Sequence, residues 1–444
     1  MQRIAKNIQE ASVPRNNTIT LGIAGYGVVG AGLVRTIVAN SDLILRRTGK
    51  RVVLKTVLER NAERARIHPL PEGTRLTANV EDIIGDPEID IVAELIGGTT
   101  FAHDLIHAAL SAGKHVVTAN KALLAENGIE LFNLAAAKNL HIGYEASVAG
   151  GIPIVQALRE GLAGNAIEAL SAILNGTSNY ILTEMSDKGL SFEAALQEAQ
   201  RLGYAEADPT LDIDGCDAAH KLTLLIRLAW GLDYPCAALP VEGIRKVQFE
   251  DIAFARELGY SIKLVAQAFM ADGKIEAGVF PTLVHDSFLL SRVSGSFNAI
   301  WLTGNAVGSI FLHGRGAGDT PTGSAVLSDI LAVARGAMPN NTGFTEQTPP
   351  PAARKNPADA ESLYYFRLLV PDRAGVLRDV AGAMAENGIS IAQAIQKGKN
   401  TEAVPLVFMT HSATARAVEK AVARIGEMGL LHATPVCYRV IAPE

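Results

Sequence analysis

The first third of the chain alternates short apolar runs with segments in which apolar residues recur at helical spacing. The clearest case is the β-prone run 18–24, which leads through glycines into a helical pattern at Val28, Leu33, Ile37 and Val38. The other elements predicted here are strands at 52–58, 90–95 and 115–118 and a helix at 102–112. This alternation predicts right-handed crossovers and therefore a parallel, doubly wound α/β sheet.

The pattern changes after about residue 148 and again near residue 338. Long helices at 192–201 and 216–230, mixed with β-rich segments, predict a second domain of the α+β class. Residues 338–360 hold a Pro-Pro-Pro run and no periodicity, which predicts an extended linker. After the linker the predicted order is βαββαβ, which is that of a small ferredoxin-like domain.

Composition narrows the class of partner. The chain is 48% hydrophobic, its formal net charge is -6, and it has no long block of like charges that would attract nucleic acid or an acidic membrane. Cys216, Cys236 and Cys437 lie far apart without CxxC spacing, so we expect neither a disulfide framework nor a zinc site, and a reducing, cytoplasmic compartment fits. The N-terminus lacks a signal-peptide core and Arg227 interrupts the apolar segment 222–230, so no membrane span is predicted. Small-molecule partners are therefore expected.

A glycine motif directly follows the first predicted strand. The spacing G-x-G-x-x-G is formed by Gly25, Tyr26, Gly27, Val28, Val29 and Gly30. In this strand–turn–helix context the glycines allow a tight turn, close approach of a pyrophosphate and close helix packing, and the helix N-terminus holds the anion. The motif predicts a Rossmann-type dinucleotide-binding domain.

Two further predicted strand ends carry candidate ligand groups. Glu59 would bind the ribose hydroxyls of NAD and Arg60 the extra phosphate of NADP, although the two could also form an ordinary surface charge pair. Thr118 and Lys121 follow another strand, at the sheet edge where open α/β sheets bind ligands. Lys121 could hold the cofactor or the substrate there.

Residues 203–221 combine five carboxylates with turn residues and the start of a helix. Asp217 and Lys221 are one helical turn apart, and the apolar residues that follow predict a largely buried helix. A buried lysine beside a fixed carboxylate can exchange a proton with a substrate oxygen. The acidic side chains of Glu206, Asp208 and Asp212 favour a cationic ligand, so a substrate with a reacting oxygen and an amine is expected.

Seven segments of the sequence, in this order, resemble homoserine dehydrogenase in its monofunctional form with a C-terminal ACT domain. They are residues 25–30, 94–98, 113–121, 144–153, 174–180, 203–221 and 314–318. The resemblance implies reversible hydride transfer between NADPH or NADH and L-aspartate 4-semialdehyde, which gives L-homoserine. It also implies a dinucleotide-binding domain at 17–147, completed by a returning helix at 320–337, a catalytic and dimerisation domain at 148–319, and an ACT domain at 361–442.

The resemblance assigns roles to individual residues. Lys221 would donate the proton, with Asp217 as its partner, and Glu206, Asp212 and Lys121 would surround the substrate; the division of acid–base work between Lys121 and Lys221 stays open. Gly316 and Gly318 would lie near the nicotinamide. A monovalent cation, sodium, would be held by Glu145 and by the carbonyl groups of Val148, Gly150 and Ile152, a donor set of oxygens that suits a hard ion.

The turns at 371–377 and 386–391 resemble those of ACT domains, which bind amino acids between paired domains. Threonine is then the expected effector and a homodimer or homotetramer the expected assembly; the plainer alternative is that the module only joins subunits. Cys216 with His220 superficially offers the nucleophile and base of an aspartate-semialdehyde dehydrogenase, but the adjacent Asp217 and Lys221 match the homoserine enzyme. A non-catalytic amino-acid sensor is the alternative from another functional class.

Overall fold

The structure is a computed structural model. It describes residues 17–61, 69–337, 340–346, 348–397 and 403–443. The absence of a signal-peptide core was predicted mainly on residues 1–16, which lie outside the described residues. Residues 338, 339 and 347 of the predicted linker also lie outside them. The chain forms two compact units, the first made of residues 1–164, 227–231 and 315–350 and the second of the remainder.

A six-stranded parallel sheet forms the first unit, in the order β3-β2-β1-β4-β5-β6. Its strands are β1 (Thr18–Ala24), β2 (Arg51–Leu58), β3 (Arg75–Thr77), β4 (Ile91–Glu94), β5 (His115–Thr118) and β6 (Ile142–Gly143). Its helices are α1 (Val28–Ala39), α2 (Ser41–Thr48), α3 (Glu81–Ile84), α4 (Thr100–Ser111), α5 (Lys121–Ala137), α6 (Ile154–Gln156) and α12 (Asp319–Arg335). The strand order reverses between β1 and β4, which is where doubly wound sheets bind dinucleotides. The predicted α/β class is confirmed.

Helix α12 returns from late in the chain and packs against α1. Its apolar residues Val326, Ile330 and Val333 share one buried cluster with Leu21 and Leu33 of β1 and α1. Two glycines let the helix backbones approach. A Cβ atom on Gly32 would lie 2.2 Å from the carbonyl oxygen of Asp319, and one on Gly323 would lie 2.5 Å from the amide nitrogen of Leu33.

We expect Gly32→Ala to destabilise the protein by about 1–3 kcal/mol, because the added methyl group meets backbone that cannot rotate away. Gly382→Ala is the matched control, since a Cβ atom there meets nothing within 4 Å and the helix gains propensity. Thermal unfolding of the two variants tests this. Equal melting temperatures would show that α1 and α12 can separate without cost.

The second unit is built on a ten-stranded mixed sheet. Its main path runs β11-β10-β7-β8-β9-β16-β12-β14-β13, and β15 pairs with β12. The strands are β7 (Ile167–Ile173), β8 (Tyr260–Ala271), β9 (Lys274–His285), β10 (Phe297–Gly304), β11 (Gly308–Arg315), β12 (Glu361–Val370), β13 (Ile391–Gln396), β14 (Val404–Thr410), β15 (Ala413–Thr414) and β16 (Val436–Ile441). The helices are α7 (Gly176–Lys188), α8 (Phe192–Arg201), α9 (Thr210–Ile213), α10 (Cys216–Trp230), α11 (Phe249–Glu257), α13 (Val376–Glu386) and α14 (Ala415–Glu427).

The C-terminal βαββαβ module is not a separate sheet. Strand β16 pairs in parallel with β9, with Arg439 opposite Thr282 and Ile441 opposite Val284, so the module continues the sheet of the preceding segment. The segment predicted as a linker also hydrogen-bonds to this sheet region, because the amide of Ile275 donates to the carbonyl of Ala353 at 2.8 Å. The segment predicted as a linker therefore makes specific backbone contacts and contains a short 3-10 helix at Pro357–Asp359.

Helix α14 of this module begins at Ala415, directly after Thr414, whose hydroxyl accepts a hydrogen bond from the amide of Ala417 and caps the helix. Among the described helices none is by itself long and apolar enough to cross a membrane; only α1 taken together with α2 passes on length and composition, with a 74° bend between them.

Candidate active site

The glycine turn after β1 has the geometry that its spacing predicts. Gly25 has φ = +97°, and a Cβ atom on it would lie 2.6 Å from the carbonyl oxygen of Leu95. A Cβ atom on Gly30 would lie 2.5 Å from the carbonyl oxygen of Gly25. Helix α1 begins at Val28, directly after the turn, and the Val28 side chain is exposed. The first-turn N–H groups of α1 therefore present an anion site to a pyrophosphate.

Glu59 and Arg60, at the end of β2, adjoin this turn. One carboxylate oxygen of Glu59 accepts a hydrogen bond from the amide of Tyr26 at 3.0 Å, and the other accepts one from the amide of Asn61 at 2.9 Å. The Arg60 guanidinium lies over the ring of Phe101, 5.3 Å from its centroid. Backbone amides thus hold the Glu59 carboxylate, and an aromatic ring contacts the Arg60 guanidinium.

A buried carboxylate that the sequence reasoning missed joins the ends of β4 and β5. Glu94 is fully buried and accepts hydrogen bonds from the amides of Ile96 (2.8 Å) and Gly97 (3.1 Å) and from the hydroxyl of Thr118 (2.6 Å). Thr118 in turn accepts a hydrogen bond from the amide of Asn120 at 3.0 Å. Two loops at the ligand-binding edge of the sheet are fixed by one side chain. The feature of the sequence that could have indicated this role is an acidic residue at the end of an otherwise apolar strand.

Lys121 is positioned by this network. Asn120 caps α5 by accepting a hydrogen bond from the amide of Leu123, and its side-chain amide donates to the carbonyl of Gly98 at 2.6 Å. Lys121 is the first residue of α5 and is half-buried. The structure therefore places it at the carboxyl end of β5, where the sequence predicted a ligand-binding lysine.

In the second unit, α10 carries a buried ion pair. The Lys221 ammonium donates to a carboxylate oxygen of Asp217 at 2.6 Å and to the carbonyl oxygen of Leu174 at 2.7 Å, and the two side chains are 9% and 6% exposed as residues. An ammonium group has three N–H donors, and the described residues provide acceptors for two of them, so the third can bind a ligand oxygen. Burial makes this pair unlike an exposed i,i+4 pair, because water screens it poorly.

Asn175 connects this pair to the acidic segment and was not identified from the sequence. Its side-chain amide donates to carboxylate oxygens of both Asp212 (2.7 Å) and Asp217 (2.9 Å). Its own oxygen accepts from the amide of Ser178 and caps α7. Burial, followed by the negative charge of Asp217, raises the pKa of Asp212 above its ordinary value. The polar segment 174–180 was recognised only through resemblance.

The other carboxylates of 203–221 do not join this group. Asp208 accepts a hydrogen bond from the amide of Thr210, and Asp214 forms an ion pair with Arg245. Glu206 is exposed. The structure therefore brings Asp212, Asp217 and Lys221 together, while the expected contact of Glu206 with a substrate stays a prediction.

We expect Asn175→Ser to lower kcat by about 10- to 100-fold, since a hydrogen bond from an amide to a charged group contributes about 1.5–3 kcal/mol. Serine retains the cap of α7 and so separates positioning from stability. The control is Asn175→Ala, which should lose both activity and thermal stability. An unchanged kcat for Asn175→Ser would show that the two carboxylates hold their positions without the amide.

Glu145 lies in a tight loop of the first unit. Its buried carboxylate accepts hydrogen bonds from the amides of Val155 (2.9 Å) and Gln156 (2.8 Å). Burial, followed by the charge of Asp329, raises the pKa of Glu145 to about 7. The buried Arg159 guanidinium acts in the opposite direction and lowers this pKa. The described residues contain no cluster of three or more His, Cys, Asp or Glu side chains able to hold a metal.

The loop after Glu145 is strained and closely packed. Ala149 and Gly150 have φ = +54° and +53°, and a Cβ atom on Gly150 would lie 2.3 Å from the carbonyl oxygen of Gly316. The carbonyl of Ile152 accepts a hydrogen bond from the amide of Ile154 at 2.8 Å. Gly318, with φ = +123°, precedes α12. The predicted cation-binding and nicotinamide-binding glycines are thus neighbours within this unit.

Comparison with known proteins identifies the family. The model described as "Homoserine dehydrogenase, NAD binding domain" matches residues 25–145, "Homoserine dehydrogenase" matches 153–331, and "ACT domain" matches 364–429. The homoserine dehydrogenase of Pseudomonas aeruginosa is 41% identical over 419 residues, which cover 92% of this chain and 95% of that protein.

Two solved structures extend the likeness to the fold. A homoserine dehydrogenase from Thiobacillus denitrificans is 41% identical, with a TM-score of 0.90 over 96% of this chain and 98% of that one. A hyperthermophilic archaeal homoserine dehydrogenase mutant in complex with NADPH is 29% identical, with a TM-score of 0.61 over 73% of this chain and 99% of that one. With its Rossmann-type and ACT domains, this chain belongs to the homoserine dehydrogenase family.

Proposed function

We propose that this protein interconverts L-aspartate 4-semialdehyde and L-homoserine, with Lys221 as the proton donor to the substrate oxygen. The observation that carries the proposal is the buried Lys221 ammonium, held by Asp217 and by the Leu174 carbonyl with one N–H left over. That arrangement supplies an acid whose position is fixed by two hydrogen bonds and whose charge is poorly screened because it is buried.

Each group around the Lys221 ammonium has a separate role in the proposed reaction. When bound, the nicotinamide dinucleotide supplies or accepts the hydride at the carbon. As the aldehyde oxygen gains negative charge, the third N–H of Lys221 donates its proton, and the carboxylate of Asp217 holds the lysine in position. Asp212, held by Asn175, offers a carboxylate to the substrate ammonium. In the reverse direction Lys221 takes the hydroxyl proton from homoserine.

The test is homoserine-dependent reduction of NAD and of NADP, followed by absorbance at alkaline pH with and without threonine. Turnover with either dinucleotide supports the reaction, and a higher kcat/KM for one of them defines the preference. A folded protein that binds dinucleotide but gives no turnover with either would refute the proposal and favour an amino-acid sensor.

We propose that Glu59 and Arg60 set the balance between NAD and NADP. The Glu59 carboxylate, held by the amides of Tyr26 and Asn61, suits the ribose hydroxyls of NAD, and Arg60 suits the phosphate of NADP. NADPH in the archaeal relative supports use of the phosphorylated cofactor in the family.

We expect Glu59→Gln to raise KM for NAD about tenfold, because one charge-assisted hydrogen bond is lost, and to raise KM for NADP less. Arg60→Met should do the opposite, and parallel changes in both variants would contradict the assignment.

We propose a monovalent cation, sodium, beside Glu145, with carbonyl oxygens of Val148, Gly150 and Ile152 as the other ligands. The buried carboxylate and the strained turn at Ala149 support the proposal. A neutral carboxyl group binds a cation weakly, and the pKa of Glu145 is raised to about 7. Sodium should therefore raise the melting temperature more at pH 8 than at pH 6, with tetramethylammonium as the matched salt. The same response in Glu145→Gln would refute the site.

We propose that threonine acts through the ACT domain and that the enzyme is a homodimer or homotetramer. The match to the ACT domain at residues 364–429 supports an amino-acid ligand. The pairing of β16 with β9 connects the ACT module to the preceding strands through backbone hydrogen bonds. Threonine inhibition that disappears when residues of the 371–377 turn are replaced would support this. Inhibition that survives, or none at all, would leave the module a role in joining subunits.

A further inference from the structure

A buried lysine that takes no part in the proposed reaction lies in β8. Lys263 is 7% exposed, and its ammonium donates to the carbonyl oxygen of Val293 at 2.6 Å. The same carbonyl accepts from the side-chain amide of Asn179 at 3.2 Å, and the hydroxyl of Thr183 accepts from the amide of Gly295 at 3.0 Å. Helix α7 thus holds the 293–295 segment in a fixed position against the lysine.

Most N–H groups of the Lys263 ammonium have no acceptor among the described residues. It has three N–H donors, and the Val293 carbonyl is the one acceptor it has among the described residues. No carboxylate of the described chain lies within ion-pair distance, 4.0 Å, of its nitrogen. Burying a charge without a partner is costly, so the two remaining donors favour an acceptor from outside the described residues.

Lys263 lines a cavity of about 180 Å³ that can supply this acceptor. Its polar lining includes Thr183, Ser186, Asp187, Ser261, Ser291 and Arg292. The Ser186 hydroxyl accepts a hydrogen bond from Arg256, which leaves its proton free to donate. With Lys263 and Arg292 positive and Asp187 negative, the lining carries one net positive charge.

We infer that this cavity is a binding site for a small, singly charged carboxylate or oxyanion, held by the Lys263 ammonium with Arg292 and the hydroxyl of Ser186. The volume admits an anion of a few heavy atoms with one or two waters. The carboxylate of Asp187 disfavours a doubly charged ligand such as phosphate by repulsion. The site is built from β8, α7 and the segment 291–294, and it shares no residue with the Lys221 group.

The ammonium must be charged to hold an anion, and this sets the pH range. Burial lowers the pKa of Lys263 to about 8, and Asp187 acts weakly in the other direction. The charged groups that line the cavity are Asp187 from α7 and Arg292 from the segment after β9. Helix α11 contributes the apolar Ile252 to the lining, and its Arg256 lies behind the lining, where it donates to Ser186 and pairs with Asp187 at 3.9 Å. Anion binding should therefore be strong below pH 8 and should weaken as the pH rises above it.

The experiment is a calorimetric titration of the full-length protein with sodium acetate, with sodium chloride at equal ionic strength as the blank. We expect saturable acetate binding in the wild type, at least a tenfold weaker affinity in Lys263→Met, and wild-type affinity in Lys274→Met, which removes an exposed lysine. Lys221→Met should also keep wild-type affinity, because a carboxylate bound at the catalytic lysine would be lost there instead.

Two outcomes would overturn the inference. Equal acetate affinity in Lys263→Met and the wild type would place the anion elsewhere, and no saturable binding in the wild type would mean that the cavity holds only water. Should Lys263→Met fail to fold, Arg292→Gln offers a second variant at the exposed rim of the cavity. That variant should weaken acetate binding without changing the melting temperature, and unchanged binding would again contradict the site.

Discussion

Replacing Lys221 with methionine is expected to lower kcat by about 10²–10⁴-fold, the usual contribution of a positioned general acid. The methionine side chain has a similar length and fills the same buried space, but it leaves the Asp217 carboxylate without its cation, so the kinetics are measured well below the melting temperature, which we expect to fall. The dissociation constant of the dinucleotide should be unchanged, because the glycine turn and the loops at Glu94 belong to the other compact unit. Steady-state kinetics and dinucleotide fluorescence titration measure the two quantities.

Lys121→Met is the matched control. It should raise KM more than it lowers kcat if Lys121 holds substrate or cofactor, since uniform binding energy appears in KM. If instead Lys221→Met turns over normally and Lys121→Met is inactive, the two lysines exchange roles. Asp217→Asn adds a third test: it keeps a hydrogen-bond acceptor for Lys221 but removes the charge, so its kcat should lie between those of the wild type and Lys221→Met.

Replacing Asp251 with asparagine is expected to destabilise the protein by about 3–5 kcal/mol, the cost of leaving a buried charge without its partner. Asp251, in α11, is fully buried and accepts hydrogen bonds from the Arg367 guanidinium at 2.5 and 2.9 Å and from the Tyr365 hydroxyl at 3.1 Å. Arg367 and Tyr365 belong to β12 of the ACT module. A lower melting temperature should therefore be accompanied by loosening of that module, which hydrogen exchange of β12 amides can detect.

The double variant Asp251→Asn with Arg367→Met separates the ion pair from general damage. Removing both charges from a buried site can be close to neutral, so the double variant should recover much of the stability that Asp251→Asn loses. Asp359→Asn is the exposed control, because its ion pair with Arg416 is half open to solvent and should contribute little. Additive losses in the double variant would show that Asp251 and Arg367 act independently.

Local sequence features determined much of the fold. Helices at 192–201 and 216–230 and a strand at 115–118 have the predicted bounds, because apolar spacing and flanking turn residues act over a few residues. The glycine turn was recognisable for the same reason, since Gly25 must adopt φ = +97° at one fixed place after a strand. The pairing of Asp217 with Lys221 followed from helical spacing alone.

Contacts between distant segments were decided only by the tertiary structure. Glu94 joins β4 to Thr118, Asn175 reaches Asp212 and Asp217, and Lys263 meets the carbonyl of Val293. The pairing of β16 with β9 likewise unites residues more than a hundred positions apart. The sequence alone determined which residues could form helices, turns and an acid–base pair, because those depend on neighbours along the chain. It could not determine which buried polar groups would satisfy one another, because that depends on which surfaces meet when the whole chain has packed.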